Sequence, residues 1–155
     1  MGGLQEENNM KKLAIIAILA AVTGVASAAD VGLHIGRGAG ANGAGVVVGQ
    51  NFGKLGVEAA FDRTVDGTVN VNRYSVVGSY PVATFANVTF AAKAGAAFTD
   101  PAVGVNGYSA VVGVGVSYPV TKTVSLVADY AYQRGQDRVS FADGNYVSAG
   151  LKYSF

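Results

Sequence analysis

Six charged side chains sit singly among small or apolar neighbours: Glu58, Asp62 and Asp129 against Arg73, Lys93 and Lys152. Three carboxylates balance three cations, and charges enclosed away from water are normally paired because an unpaired one costs several kcal/mol. Such a set can serve as an ion gate or as a salt-bridged core in place of an apolar one, and the even balance favours the core. Asp62 and Arg73 flank an Asp-Gly turn at offsets that differ by about two residues, so they are expected as diagonal neighbours across a hairpin. Lys93 and Asp129 are expected at similar depth. His34, the single histidine, alternates with Val31, Leu33 and Ile35 and so shares a face with Gly32 and Gly36. As a general base it would need a hydrogen-bonded nucleophile and an orienting acid. No His-x-Ser is present, and an interior hydrogen bond is the expected role. The stretch "GRGAGANGAG" is rich in glycine but has neither a following helix nor Lys-Ser/Thr, so it reads as a loop and not as a phosphate cradle.

Composition removes several classes. Net charge is +1, which argues for no nucleic-acid partner. Charged residues make up 14%, against about 25% in soluble domains. There is no Cys, hence no disulfide framework, no thiolate metal site and no Cys nucleophile, and no cofactor is expected. Glycine is abundant, at 22 of 155, but Pro is only 3 and half the chain is hydrophobic, so the chain is not a disordered linker.

Residues 10–28 read as a signal peptide: Lys11 and Lys12, an apolar run from Leu13 to Val22, then Ala26-Ser27-Ala28. That run is about half the ~20 residues that a spanning helix needs. Residues 1–9 read as an upstream start or an appended extension. The mature domain is expected to span 29–155.

The elements that must hold the charges are strands. Alternation of period two, broken by turn signals, predicts eight of them: Asp30–Gly38, Gly45–Phe52, Gly56–Arg63, Val69–Tyr80, Val88–Phe98, Tyr108–Tyr118, Val124–Arg134 and Asn145–Phe155. "NFGKLGV", "SYPVATFANV" and "SYPVTKTV" read as tight turns. They alternate with the loops "GAGANGAG", "TVDGTVN", "TDPAVGVNG" and "RGQDRVSFADG", roughly five to ten residues each. An up-and-down meander results, with both termini on the tight-turn side.

In the fifth, sixth and seventh strands one face is apolar and carries aromatics towards one or both ends. Tyr108, Ala110, Val112, Val114, Val116 and Tyr118 oppose Ser109, Val111, Gly113, Gly115 and Ser117. Tyr108 to Tyr118 is ten steps of about 3.3 Å, which a tilt of about 40° projects to roughly 25 Å, the height of a lipid-facing band. Phe52, Tyr80, Phe90, Phe98, Tyr108, Tyr118, Tyr130 and Tyr132 are the expected aromatic girdle. A sheet in hydrocarbon must close, and eight tilted strands can. In a soluble barrel with an apolar interior the Gly/Ser/Ala faces would meet water, and they are too small and too uncharged for that. The fold class is therefore an all-β, eight-stranded antiparallel up-and-down transmembrane β-barrel, with the six charges and His34 inside and Tyr146 filling space among them.

The chain ends "SAGLKYSF", polar-x-Gly-x-x-aromatic-x-aromatic, on Ser148, Gly150, Tyr153 and Phe155. This resembles the C-terminal signature of bacterial outer-membrane β-barrels. The mature chain resembles their small eight-stranded class: the OmpA barrel domain, OmpX, NspA and opacity-type proteins. The resemblance implies an outer-membrane location in a Gram-negative envelope, with membrane lipid as surroundings. It also implies that the terminal signature is read by the barrel-assembly machinery, and a monomer is expected. One departure from the class is expected: with the chain stopping at Phe155, a barrel without a periplasmic peptidoglycan-binding domain. The expected function is a structural or surface-interaction role. The alternatives are a narrow, porin-like solute or ion channel and, remotely, a lipid A acyl-modifying enzyme of the kind that some members of the class are. The expectation is no enzyme activity.

Overall fold

The computed structural model describes residues 29–38, 41–66, 69–102, 106–135 and 144–155. The expected extension (1–9) and signal peptide (10–28) lie outside the described residues. Eight strands follow one another: β1 (Ala29–Gly38), β2 (Ala41–Phe52), β3 (Leu55–Asp66), β4 (Val69–Phe85), β5 (Val88–Pro101), β6 (Gly107–Pro119), β7 (Val124–Gly135) and β8 (Gly144–Ser154). Each pairs antiparallel with the next, and β8 pairs with β1 to close a barrel. Closure leaves no sheet edge, so every strand finds hydrogen-bond partners on both sides.

The stagger follows from the pairing. From Ala91 on β5, successive partners are Gly115, Asp129, Ser148, Gly36, Gly43, Thr64 and Val71, and the circuit returns to β5 at Pro101, ten residues further on. Closing eight strands with such a shear requires them to tilt, typically by 35–45°. Outer positions are apolar and open: Leu33, Ile35, Val112, Val114, Leu126 and Leu151 are all exposed. Inner positions carry Gly, Ser, Thr and the charged residues, with Ala97, Val111, Ala131 and Tyr146 forming a small buried apolar cluster. An apolar outside around a polar inside inverts the soluble pattern and is the arrangement that lipid requires.

Several boundaries differ from the sequence reading. β2 begins at Ala41, so most of "GAGANGAG" is paired strand and only two residues separate Gly38 from Ala41. Likewise only two residues separate Asp66 from Val69. Small residues pair through the backbone as well as large ones but carry no hydrophobic alternation, which is why the strand read as a loop. β4 runs on through Pro81 to Phe85, with a register shift between Pro81 and Ala83. Proline lacks the N–H that a regular ladder needs, and a bulge accommodates it. The β4–β5 turn is Ala86-Asn87, both at positive φ (48° and 67°), the backbone of a two-residue hairpin.

The turns at Gly53-Lys54, Ala86-Asn87 and 120–123 define one end of the barrel, the turn rim, which also holds Ala29 and Phe155. The opposite end is the loop rim.

Candidate functional site

The inner face gathers the charged residues into two clusters at different depths. The deeper one centres on Asp62, which is 1% exposed. Asp62 and Arg73 are direct register partners on β3 and β4, not diagonal neighbours. The correction has a simple cause: Asp66 itself pairs with Val69, so the turn lies one residue further along than the Asp-Gly signal implied, and a one-residue move of the turn shifts the pairing by two. Arg73 Nη1 donates to Asp62 Oδ2 at 2.7 Å and reaches Ser75 Oγ at 3.4 Å. With the Gln133 amide oriented to match, its oxygen accepts from Arg73 Nε (2.7 Å) and Nη2 (2.9 Å). The Tyr146 ring lies 4.7 Å from the guanidinium carbon, a cation–π contact, and its hydroxyl donates to Asp62 Oδ1 at 2.8 Å. His34 Nε2 bonds the same oxygen. Four strands besides β3 thus converge on one carboxylate and its guanidinium: β1 (His34), β4 (Arg73), β7 (Gln133) and β8 (Tyr146).

The second cluster lies towards the turn rim and is a relay. Lys93 Nζ donates to Asp129 Oδ1 (2.6 Å) and to Glu58 Oε2 (2.8 Å), while Lys152 bonds the other Glu58 oxygen. Two carboxylates and two ammonium groups alternate as Asp129–Lys93–Glu58–Lys152. Its side chains are more open than Asp62, Asp129 being 26% exposed.

Two glycines make this room. A Cβ at Gly45 would overlap Asp62 Oδ1 and lie 2.7 Å from His34 Nε2. One at Gly115 would lie 2.6 Å from Asp129 Oδ1 and 2.8 Å from Lys93 Cε. Neither glycine is distinguishable by sequence from its many neighbours of the same type. Gln133 is another partner that sequence reasoning missed, because a lone amide on a polar face carries no signal of what it will meet.

A cavity of about 470 Å³ extends from the turn rim, past Lys54, Ser154 and the relay, up to Asp62. A smaller one of about 30 Å³ lies on the loop-rim side, against Thr64, Thr99 and Gln133. Arg73 and Tyr146 line both. Among the described residues these two side chains form the wall between the halves of the lumen.

On the outside, Phe61, Tyr74, Phe98 and Tyr108 form a continuous row across β3 to β6, with ring centroids 5.1, 6.5 and 4.8 Å apart. Phe61 and Tyr74 were not among the aromatics picked from the sequence. Phe52, Tyr80, Phe90 and Tyr118 lie exposed near the turn rim, and Tyr132 towards the loop rim. Tyr130 departs from the girdle reading. It sits in the middle of β7 opposite Val114, and its hydroxyl donates to Asn145 Oδ1 (2.9 Å), so its polar end is satisfied by a neighbouring strand. At the chain end, Tyr153 and Phe155 pack edge-to-face at 5.0 Å, and the Phe155 N–H donates to the Ala29 carbonyl. Ser148 and Gly150 face inward from β8.

No family model and no curated protein matches this chain. Solved structures do. Neisserial surface protein A aligns with a TM-score of 0.59 at 19% identity, covering 83% of this chain and 96% of that one. A major outer membrane protein from Thermus thermophilus aligns at 0.60 and 16%, covering 84% and 100%. The chain folds as a small outer-membrane β-barrel. The same fold holds proteins of different kinds, including the attachment invasion locus protein Ail of Yersinia pestis (TM-score 0.55, 16% identity, 83% and 97% covered) and the outer membrane enzyme PagL (0.53, 12%, 81% and 98%). Identities this low carry the fold alone, and function must be argued from this barrel's own residues.

Proposed function

We propose that this barrel is a non-enzymatic protein with a structural or surface-interaction role in the outer membrane, with a lumen closed to solutes. The observation that carries the reading is the wall formed by Arg73 and Tyr146. Both are tied to Asp62, and each lines the cavity on either side. Opening it would strip a buried carboxylate of its partners, a change that costs several kcal/mol. The interior of an eight-stranded barrel is just wide enough for side chains to fill. Against an enzyme, His34 turns to Asp62 inside the barrel, away from the lipid face where an acyl substrate would lie. Ser148, Gly150, Tyr153 and Phe155 serve as the assembly signal read by the barrel-assembly machinery.

Planar-bilayer recording of the refolded protein tests the closed lumen. No stable, large conductance is expected, and replacing both Arg73 and Tyr146 with Ala should produce currents. A steady nanosiemens-scale conductance in the unmodified protein would establish a channel instead. Pull-down of envelope or host components with the same folded barrel tests the surface role, which fails if nothing is retained.

A further inference from the structure

The turn rim is uneven. β2 ends at Phe52, shortly past its last pair with β1, which is Gln50 with Ala29. β6 ends at Pro119, shortly past Ser117 and Thr89, its last pair with β5, and β8 ends one residue past Tyr153, its last pair with β7. β4 behaves differently. Its last pair with β3 is Ser79 with Gly56, yet it runs on to Phe85, and β5 returns along it from Val88. The β4–β5 hairpin therefore stands out from the rim with one edge of β4 uncovered. All three turns of this rim are among the described residues, and within those residues nothing pairs with Val82, Ala83, Thr84 or Phe85 on the β3 side.

The uncovered edge has defined chemistry. Phe85 and Val88 flank a two-residue turn and exchange both backbone bonds, so Thr84 directs its N–H and C=O to the free side. The Thr84 and Thr89 hydroxyls lie 3.3 Å apart, the close approach of a pair that exchanges no backbone bonds. Phe85 is 80% exposed and Val82 63%, and no charged residue occurs from Tyr80 to Ala92. Free edges in native proteins are normally blunted by lysine, proline or a bulge. Here Pro81 and the bulge stand at the foot of the projection and leave its tip open. In hydrocarbon an unpaired edge is not tolerated, and in water the side chains of Val82 and Phe85 keep apolar surface wet. An added strand relieves both, bonding Thr84 and covering the two side chains.

We infer that the free edge of β4 at Val82–Phe85 is a docking site for the extended C-terminal segment of another polypeptide, added to the hairpin as a further antiparallel strand. The short turns of such barrels face the periplasm, so the partner is a periplasmic chain. A strand antiparallel to β4 takes up the line of β3 beyond its first residue, Leu55, and runs down towards the turn that holds Lys54. A chain end there sets its carboxylate against the Lys54 ammonium, which is the charge argument for a C-terminus over an internal segment. A second copy of this barrel does not fit. Two copies in one membrane are related by a two-fold axis along the membrane normal, so their β4 edges run the same way with opposite faces outward, and no ladder forms. The inference rests on the surface-interaction reading and deepens it by giving the barrel a partner of stated form.

The test is fluorescence anisotropy of the full barrel, refolded in lipid nanodiscs, with a fluorescein-labelled peptide of alternating threonine and valine that ends in a free carboxylate. Saturable binding below about 1 mM is expected. The same peptide N-methylated at alternate amides, those that face the edge, should not bind. Thr84→Pro removes the edge N–H and leaves the ladder to β5 intact, and should weaken binding about tenfold. Amidation of the peptide's end, or Lys54→Gln, should weaken it about threefold. No saturable binding, undiminished binding by Thr84→Pro, or equal binding of the N-methylated peptide would overturn the inference, the last by showing apolar contact without pairing. Unchanged affinity after amidation would overturn the choice of a chain end. Should Thr84→Pro not refold, the two peptides compared on the unmodified barrel decide in the same way. A barrel that retains envelope partners in the pull-down but not this peptide loses the edge site and keeps the surface role, so the two failures are distinguishable.

Discussion

The two charge clusters inside the barrel use the same residue chemistry under different constraints. Around Asp62 the partners are planar or ring-shaped and leave little freedom: an arginine, an imidazole and a phenol, with the Gln133 amide holding the arginine from a further strand. Around Glu58 the partners are two lysines, whose flexible stems reach from β5 and β8. The first cluster separates two cavities, while the second lines the larger one. A closed wall needs groups that keep one geometry, and a cavity lining tolerates groups that swing. Paired charges therefore give a latch in one place and a more open relay in the other.

The sharpest way to break this comparison is to remove its centre. Asp62→Ala leaves the Arg73 charge buried and takes an acceptor from His34 and Tyr146, and should cost about 3–5 kcal/mol, read as bilayer unfolding in urea by circular dichroism. A cost no larger than that of Glu58→Ala would erase the distinction between latch and relay. Next come the glycines. Gly45→Ala presses on a fixed carboxylate and should cost about 1–3 kcal/mol. Gly115→Ala, which meets the movable end of Lys93 along with Asp129, should cost less in the same assay, and the reverse order would mean that the relay is the tighter cluster. Lys93→Met should cost about 1–2 kcal/mol, because Glu58 keeps Lys152 and Asp129 can turn to water. The smallest effect is that of salt. In about 1 M KCl, where the screening length is near 3 Å, the penalty of Lys93→Met should shrink while that of Asp62→Ala stays. Equal shrinkage of both would show that the wall is hydrated.

Much of this was legible before folding. Alternation put the charged residues on the inner face and the apolar residues of the later strands on the outer one, because a strand's side chains have a period of two and the environment differs inside and out. That assigned Asp62, Arg73, Glu58, Lys93, Asp129 and Lys152 to one interior. The pairing of Lys93 with Asp129 was readable from their depth, since both strands start at the turn rim with clear signals. Asp62 and Arg73 were misplaced because the turn was centred on the Asp-Gly pair, one residue too early, and strand β2 was shortened because its small residues carry little side-chain pattern.

Local alternation and composition suffice for the number of strands, the inward placing of the charges, the balance of interior charge and the apolar band. Tertiary structure alone decided which charges meet. The ten-residue stagger of the closed barrel sets depth around the ring, and it brings Tyr146 of β8 to Asp62 of β3, and Lys152 to Glu58. It also decided that Gly45 and Gly115 are the glycines that the clusters need, and that Arg73 with Tyr146 becomes a wall. Such contacts join residues up to 94 positions apart across a lumen, and no local rule carries information over that distance. Only closure of the ring supplies it.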